Sequence, residues 1–158
     1  FNKFKNIWHH GDYAERKKNG GYIIYGRSDA TLNPGGVRLG TAEIYSVVEK
    51  FKNIKESIVV GQSWDNDVRI VLFVVLKKPN SLNNFVIQKL KKTIRSEASP
   101  RHVPAKIIEV TDIPRTKNGK IVELAVKNII EGNKIGNIQA LSNPDILQQY
   151  KNLKELKT

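Results

Sequence analysis

The stretch ESIVVGQSWDNDVRIVLFVVL, residues 56–76, contains two apolar runs that the polar triplet DND separates. Both runs are rich in Val, Ile and Phe, and β-branched and aromatic side chains favour β-strands. Asp and Asn tolerate the backbone angles of a tight turn, so the triplet suits a short connection. The stretch therefore predicts an antiparallel hairpin of two strands, 56–64 and 68–76, around which the rest of the fold is built.

Helical and strand patterns alternate on both sides of this hairpin. Thr41 precedes an apolar face with helical spacing, and a second such face, with lysines opposite it, lies at 83–97. In chain order, the patterns predict a short strand at 20–26, a turn-rich loop or tight hairpin at 27–40, a helix at 41–51, a helix at 83–97, a third strand at 105–110, and helices at 121–132 and 142–153. Together they predict an α+β fold in which helices pack on a small three-stranded antiparallel sheet.

The composition limits the class of protein. The 158 residues, 39% hydrophobic and 27% charged, suit one globular domain or one domain with an appended piece. No apolar run approaches the roughly 18 residues of a membrane span, and we expect no membrane partner. Cysteine is absent, which excludes disulfides and favours a reducing compartment, so we expect a cytoplasmic location. Methionine is absent as well, so we expect Phe1 to open a fragment of a longer protein.

The net charge of +12 is unevenly distributed along the chain. Residues 77–120 contain eleven basic and three acidic side chains, a net charge of +8. Such a field favours polyanions, which include nucleic acid, a membrane surface and a phosphate-rich small molecule. A solvated basic face with no ligand explains the same pattern, and composition leaves the two interpretations open.

Candidate ligand-binding residues lie near the N-terminus. Arg27 and Arg38 flank the turn-rich loop, and the planar fork of an arginine matches phosphate or ribose oxygens. Asp12 follows a glycine, and a carboxylate can accept both hydroxyl groups of a ribose. An ordinary surface loop with solvating arginines remains the alternative. His9 and His10 have no third ligand at a suitable spacing, so we predict no metal site.

The stretch IPRTKNGK, residues 113–120, carries a turn signal followed by a lysine. Asn118 and Gly119 both tolerate positive φ, and this pair between apolar runs is typical of a hairpin. A lysine after such a turn ordinarily contributes to solubility. By itself the stretch therefore predicts a tight turn with Lys120 directly behind it.

Taken together and in this order, three stretches resemble the adenylate-forming enzymes, which include acyl-CoA synthetases, luciferases and peptide-synthetase adenylation domains. The stretches are HHGD (9–12), GGYIIYGRSDATLNPGGVRLGTAEI (20–44) and SPRHVPAKIIEVTDIPRTKNGK (99–120). Within the family, three stretches are most similar to the acetoacetate-activating synthetases: 26–45, NGKIVELAVKNIIEG (118–132) and LSNPDILQQY (141–150). The resemblance implies that 1–28 end a large N-terminal adenylation domain and that 29–158 form the small mobile C-terminal domain, with a short β-hairpin after the hinge.

The resemblance also implies a reaction in two steps. A carboxylate attacks the α-phosphate of ATP, which carries Mg2+, and gives acyl-adenylate and pyrophosphate. The small domain then rotates about a hinge, and the thiol of CoA attacks the adenylate. The expected partners are ATP, CoA, a short-chain acid and the chain's own N-terminal domain, which would hold most of the Mg-ATP. The fragment alone should be inactive.

The family motifs assign a role to each matching residue. By analogy, Asp12 and Arg27 would bind the ribose, Asp29 would be the hinge, Gly36 would line the pantetheine tunnel, Arg38 would meet a nucleotide phosphate, Arg95 would contact a CoA phosphate, and Lys120 would be the adenylation lysine. Ala30, Arg115 and Asn118 depart from the commonest pattern of the family, and we interpret them as marks of the subfamily. The alternatives are a ligase for another short acid, such as acetate or propionate, and a basic nucleic-acid-binding module.

Overall fold

The structure, a computed structural model, describes residues 5–7, 11–28 and 30–158. Its strands are β1 Asp12–Arg16, β2 Tyr22–Arg27, β3 Ile54–Trp64, β4 Asp67–Leu76 and β5 Lys106–Glu109. Its α-helices are α1 Ala42–Val48, α2 Asn84–Glu97 and α3 Glu123–Ile130. Short 3-10 segments are Pro34–Gly36, Pro100–His102, Ile138–Ala140, Pro144–Tyr150 and Lys154–Lys157. No helix of these described residues is long and apolar enough to cross a bilayer.

The central hairpin of β3 and β4 confirms the first sequence prediction. Trp64 pairs with Asp67 across the turn, which leaves Asp65 and Asn66 as its two central residues. Both have positive φ, 50° for Asp65 and 59° for Asn66, as a two-residue type I′ turn requires. The two runs therefore pair over nearly their full length in antiparallel register.

The third strand joins the sheet in the opposite sense to the one we predicted. β5 pairs with β4 in parallel, with Val71 opposite Lys106 and Val74 opposite Glu109. The strand order is β3-β4-β5, so the sheet is mixed, and the antiparallel prediction is wrong for this pair. The reason is α2, which carries the chain back along the sheet before β5 begins, as a parallel connection requires. The α+β class and the three-stranded sheet are confirmed.

The sheet is buried on both faces, which explains its unbroken apolar strands. Neighbouring residues of β4 point to opposite faces, and both Leu72 and Phe73 are fully buried. The face of Leu72 packs against α1 and α2, through Ile44, Val48, Leu90 and Ile94. The face of Phe73 packs against α3 and against residues 138–158, here called the C-terminal segment, through Val126, Ile129, Leu147, Tyr150 and Leu156. By contrast Trp64, the last residue of β3, is 37% exposed and stacks with Arg69.

The last predicted helix is a 3-10 segment, Pro144–Tyr150. Leu147 and Tyr150 are both buried, and residues three apart lie on the same side of a 3-10 helix. The Tyr150 ring meets Phe73 edge to face, with centroids 5.0 Å apart, and its hydroxyl donates to the Asp112 carbonyl at 2.9 Å. Burial, and then the charge of Asp112, raise the pKa of Tyr150. The C-terminal segment is thus part of the core.

The N-terminal residues form a separate two-stranded sheet of β1 and β2. The strand predicted at 20–26 is confirmed as β2. β1 was not predicted, because its side chains are mostly exposed and show no apolar alternation. In the loop that follows, Leu32 and Leu39 exchange two backbone hydrogen bonds, of 3.1 and 2.9 Å, so the short hairpin expected there is a single bridge.

Tyr45 ties three elements of the fold together. Its hydroxyl accepts from the backbone N–H of Val59 on β3 at 3.0 Å and donates to a Glu123 carboxylate oxygen on α3 at 2.5 Å. Burial, followed by the charge of Glu123, raises the pKa of Tyr45. The Tyr45 hydroxyl therefore stays protonated near neutral pH and donates to Glu123. It also accepts from the backbone N–H of Val59, which lies on the edge strand β3.

We expect Tyr45→Phe to lower the free energy of unfolding by about 1–3 kcal/mol, because the buried Val59 N–H loses its acceptor. Urea unfolding of the chain, followed by circular dichroism, measures the change. Tyr22→Phe is the matched control, since Tyr22 is 66% exposed. Equal midpoints for the two variants would show that the Tyr45 hydroxyl contributes nothing to stability.

Candidate functional site

Residues 113–121, here called the Lys120 arm, fold into the tight turn that the sequence predicts. The Thr116 N–H donates to the Lys120 carbonyl and the Gly119 N–H donates to the Thr116 carbonyl, both at 2.8 Å. Gly119 has a φ of +78°, a conformation that glycine adopts without strain. Arg115 and Ile121 form an antiparallel bridge at the base of the turn. The arm leaves Lys120 exposed to solvent.

The C-terminal segment holds one side of the Lys120 arm. Thr116 bridges to Leu141, and the Lys117 N–H donates to the Ala140 carbonyl at 3.0 Å. The Asn143 side chain accepts from the Arg115 N–H at 3.0 Å and donates to the Ile113 carbonyl at 3.0 Å. This pairing has no signal in the sequence, because residues 138–143 contain neither an alternating pattern nor a strand-forming run. The arm is therefore supported along its backbone rather than being a free loop.

Arg38 lies on a cavity near the N-terminal sheet. The carbon of its guanidinium is 4.6 Å from the centroid of the Tyr13 ring, a cation–π contact. The cavity has a volume of about 320 Å³. Its walls are formed by Tyr13, Thr31, Arg38, Leu39, Gly40, Glu43 and His102. This geometry places a fixed positive charge at the boundary between β1 and the 27–40 loop.

Two polar atoms on this cavity's walls have no hydrogen-bond partner among the described residues. They are a carboxylate oxygen of Glu43 and Nε2 of His102, and both are buried. The other ring nitrogen of His102 lies 2.8 Å from the Ser99 hydroxyl. Sequence reasoning missed both residues, since a lone His and a first-turn Glu are ordinary features of a packed chain. The residues that line the cavity therefore include a carboxylate and an imidazole as well as the guanidinium of Arg38.

The loop that contains Gly36 is attached to the central hairpin. Gly35 and Gly36 have positive φ, 59° and 72°, which lets the backbone turn tightly after Pro34. The Gly35 N–H donates to both carboxylate oxygens of Asp67, each at 2.9 Å. Asp67 thus attaches this loop to the first residue of β4.

The remaining candidate residues lie in different parts of the chain. Asp12 stands opposite Arg27 in the register of β1 and β2, as a shared ligand would require, although the side chain of Arg27 is outside the described structure. Asp29 also lies outside the described residues, as do His9 and His10. Arg95 is exposed in the last turn of α2. Among described residues, the cavity of Arg38 is lined by neither Arg95 nor Lys120, so the structure does not bring all candidates together.

Comparison with known proteins identifies the family. Residues 43–120 match the model of the AMP-binding enzyme C-terminal domain. This part of the chain belongs to that family. The matched region runs from α1 to Lys120 and so includes the whole three-stranded sheet and the turn of the arm.

Individual relatives of this AMP-binding C-terminal domain extend the similarity to the full chain. It is 55% identical to the acetoacetyl-coenzyme A synthetase of Rhizobium meliloti (strain 1021), over 100% of this chain and 24% of the relative. It is 46% identical to the acetoacetyl-CoA synthetase of Danio rerio, over 99% of this chain and 24% of the relative. The solved acetoacetyl-CoA synthetase of Streptomyces lividans has a TM-score of 0.84 and 38% identity, over 96% of this chain and 23% of that one. The chain thus spans about a quarter of the length of these relatives.

Proposed function

We propose that the chain is the C-terminal part of an ATP-dependent acid–CoA ligase that converts acetoacetate first to acetoacetyl-adenylate and then to acetoacetyl-CoA. The observation that carries the proposal is the exposed Lys120, presented by a tight turn at the end of the family match. The identity of 55% to a synthetase of that name supports acetoacetate as the acid. Because the chain spans 24% of that relative, the acid pocket would lie in the rest of the enzyme.

In the first step, Lys120 would act on the α-phosphate of Mg-ATP. Negative charge spreads over the phosphate oxygens during in-line displacement, and a positioned ammonium stabilises that charge. A compact charge on a flexible stem suits this role better than the rigid arginine fork, since it can also contact the incoming carboxylate. The exposure of Lys120 is what such a role needs, because its target would be bound by another domain.

The other candidates would bind the two polyanionic substrates. Asp12 and Arg27, paired in the β1–β2 register, would hold the ribose hydroxyls of the nucleotide. Arg38 would contact its phosphate, and Gly36, in the loop that Asp67 fixes, would line the pantetheine tunnel. Arg95, exposed on α2, would contact a phosphate of CoA. Residues 1–28 would belong to the large domain and 29–158 to the mobile one.

The wider setting of the reaction also belongs to this proposal. Mg2+ would accompany ATP and neutralise the developing charge on its phosphates. The absence of cysteine supports a reducing compartment such as the cytoplasm. Formation of a short acyl-CoA from a free keto acid would connect the enzyme to lipid metabolism.

The substrate assignment is tested by pyrophosphate exchange with the full-length protein. Acetoacetate should support exchange of label between pyrophosphate and ATP with a higher kcat/KM than acetate or propionate. The 158-residue chain alone should support none, since it lacks most of the relatives' length. If acetate or propionate gave the higher kcat/KM, that acid would replace acetoacetate as the proposed substrate. If no acid supported exchange, the ligase assignment would be refuted.

A further inference from the structure

Arg115 connects the Lys120 arm to the central sheet. One terminal nitrogen of its guanidinium lies 3.0 Å from a carboxylate oxygen of Glu56 on β3. The other terminal nitrogen donates to the Gly119 carbonyl at 2.8 Å. Both side chains are partly buried, with exposed fractions of 31% for Arg115 and 25% for Glu56. A single planar group therefore bridges the sheet and the turn next to Lys120.

An irregularity in β3 orients the side chain of Glu56 toward Arg115. The register of β3 against β4 shifts between Ile54 and Glu56. Such irregularities re-aim a side chain relative to the regular alternation of a strand. Together with the backbone bonds of Arg115 to Asn143 and Ser142, the contact fixes the arm from two sides.

We propose that Arg115 and Glu56 are positioning residues for Lys120. The guanidinium holds the Gly119 carbonyl, which belongs to the peptide unit directly before Lys120, and Glu56 holds the guanidinium. A displacement of about 1 Å at a reacting group can lower a rate by about 100-fold, so the contact has kinetic consequences. Lysine offers a single ammonium in place of the two-sided fork, so Arg115→Lys should not hold both partners at once.

This inference rests on the proposed role of Lys120, and its test uses the full-length enzyme. Arg115→Lys and Glu56→Gln should each lower kcat for acetoacetate-dependent pyrophosphate exchange by roughly 10- to 100-fold. Thioester formation from supplied acyl-adenylate should change by less than about twofold, because that step does not use the Lys120 arm. Glu49→Gln is the matched control, because Glu49 is an exposed carboxylate that lines a second cavity together with Glu56 and Arg115. This substitution should leave both steps unchanged.

A double-mutant cycle with Lys120→Ala separates positioning from a general structural effect. If Arg115 acts through Lys120, Arg115→Lys should cause no further loss of exchange in the Lys120→Ala background. An equal loss in both backgrounds would refute the inference, and so would normal exchange by both single variants. Glu56→Gln keeps the test valid if Arg115→Lys does not fold. Absence of exchange in the unmodified enzyme would instead refute the proposed function.

Discussion

Lys120→Ala in the full-length enzyme is expected to lower the rate of adenylation by roughly 10²- to 10³-fold, the scale of losing one preorganised electrostatic donor. The reason is that charge develops on the α-phosphate in this step and the ammonium would be aimed at it. Pyrophosphate exchange measures the loss. Thioester formation from supplied acetoacetyl-adenylate should be much less affected, because the bond between the α-phosphate and pyrophosphate is already broken in the adenylate and the substitution at phosphorus is complete.

Lys117→Ala is the matched control for this prediction. Lys117 is exposed on the same turn, three residues before Lys120, and its backbone bond to Ala140 does not depend on its side chain. Its loss should leave both half-reactions near their normal rates. Lys120→Arg should recover little activity, since the rigid fork cannot take the place of a compact charge. Equal loss of both half-reactions by Lys120→Ala, in a folded protein, would mean that the assigned role is wrong.

The sequence predicted the local elements well because their signals are local. The apolar runs of β3 and β4, the helical spacing of α2 and the Asn118-Gly119 turn each lie within about fifteen residues. The direction of β5 was mispredicted, since parallel pairing depends on where α2 returns the chain. β1 was missed because its side chains are mostly polar and exposed, so they show no strand pattern. The strand forms through its backbone pairing with β2, which the residues of β1 alone do not indicate.

The candidate site shows the same division between local and long-range information. Arg38 and Lys120 were predicted as site residues from motifs, and the structure adds the groups that surround them. The contact of Arg115 with Glu56 joins residues far apart in the chain, through a shift in the register of β3 that no composition reveals. Glu43 and His102 are common residue types and carry no signal in the sequence. The structure shows that both line one cavity and that each has a buried polar atom without a hydrogen-bond partner among the described residues.

Asp29→Pro is expected to have the opposite effect to Lys120→Ala on the two half-reactions. If Asp29 is the hinge, its backbone angles must change when the small domain rotates between the steps. Proline fixes φ near −65° and also restricts the residue before it, here Ser28. Adenylation should stay within a few-fold of normal, whereas thioester formation should fall by about 100-fold or more, as expected for a badly misplaced reacting group.

Asp29→Ala is the control that separates the backbone from the side chain. It removes the carboxylate and leaves φ free to change, so thioester formation should fall far less than in Asp29→Pro. Both rates are measured on the same preparation, by pyrophosphate exchange and by the appearance of acetoacetyl-CoA. If both variants lost the second step equally, the carboxylate would be required rather than the rotation. If Asp29→Pro kept normal thioester formation, the hinge would lie elsewhere, and residues 1–28 and 29–158 would not move as separate bodies about this position.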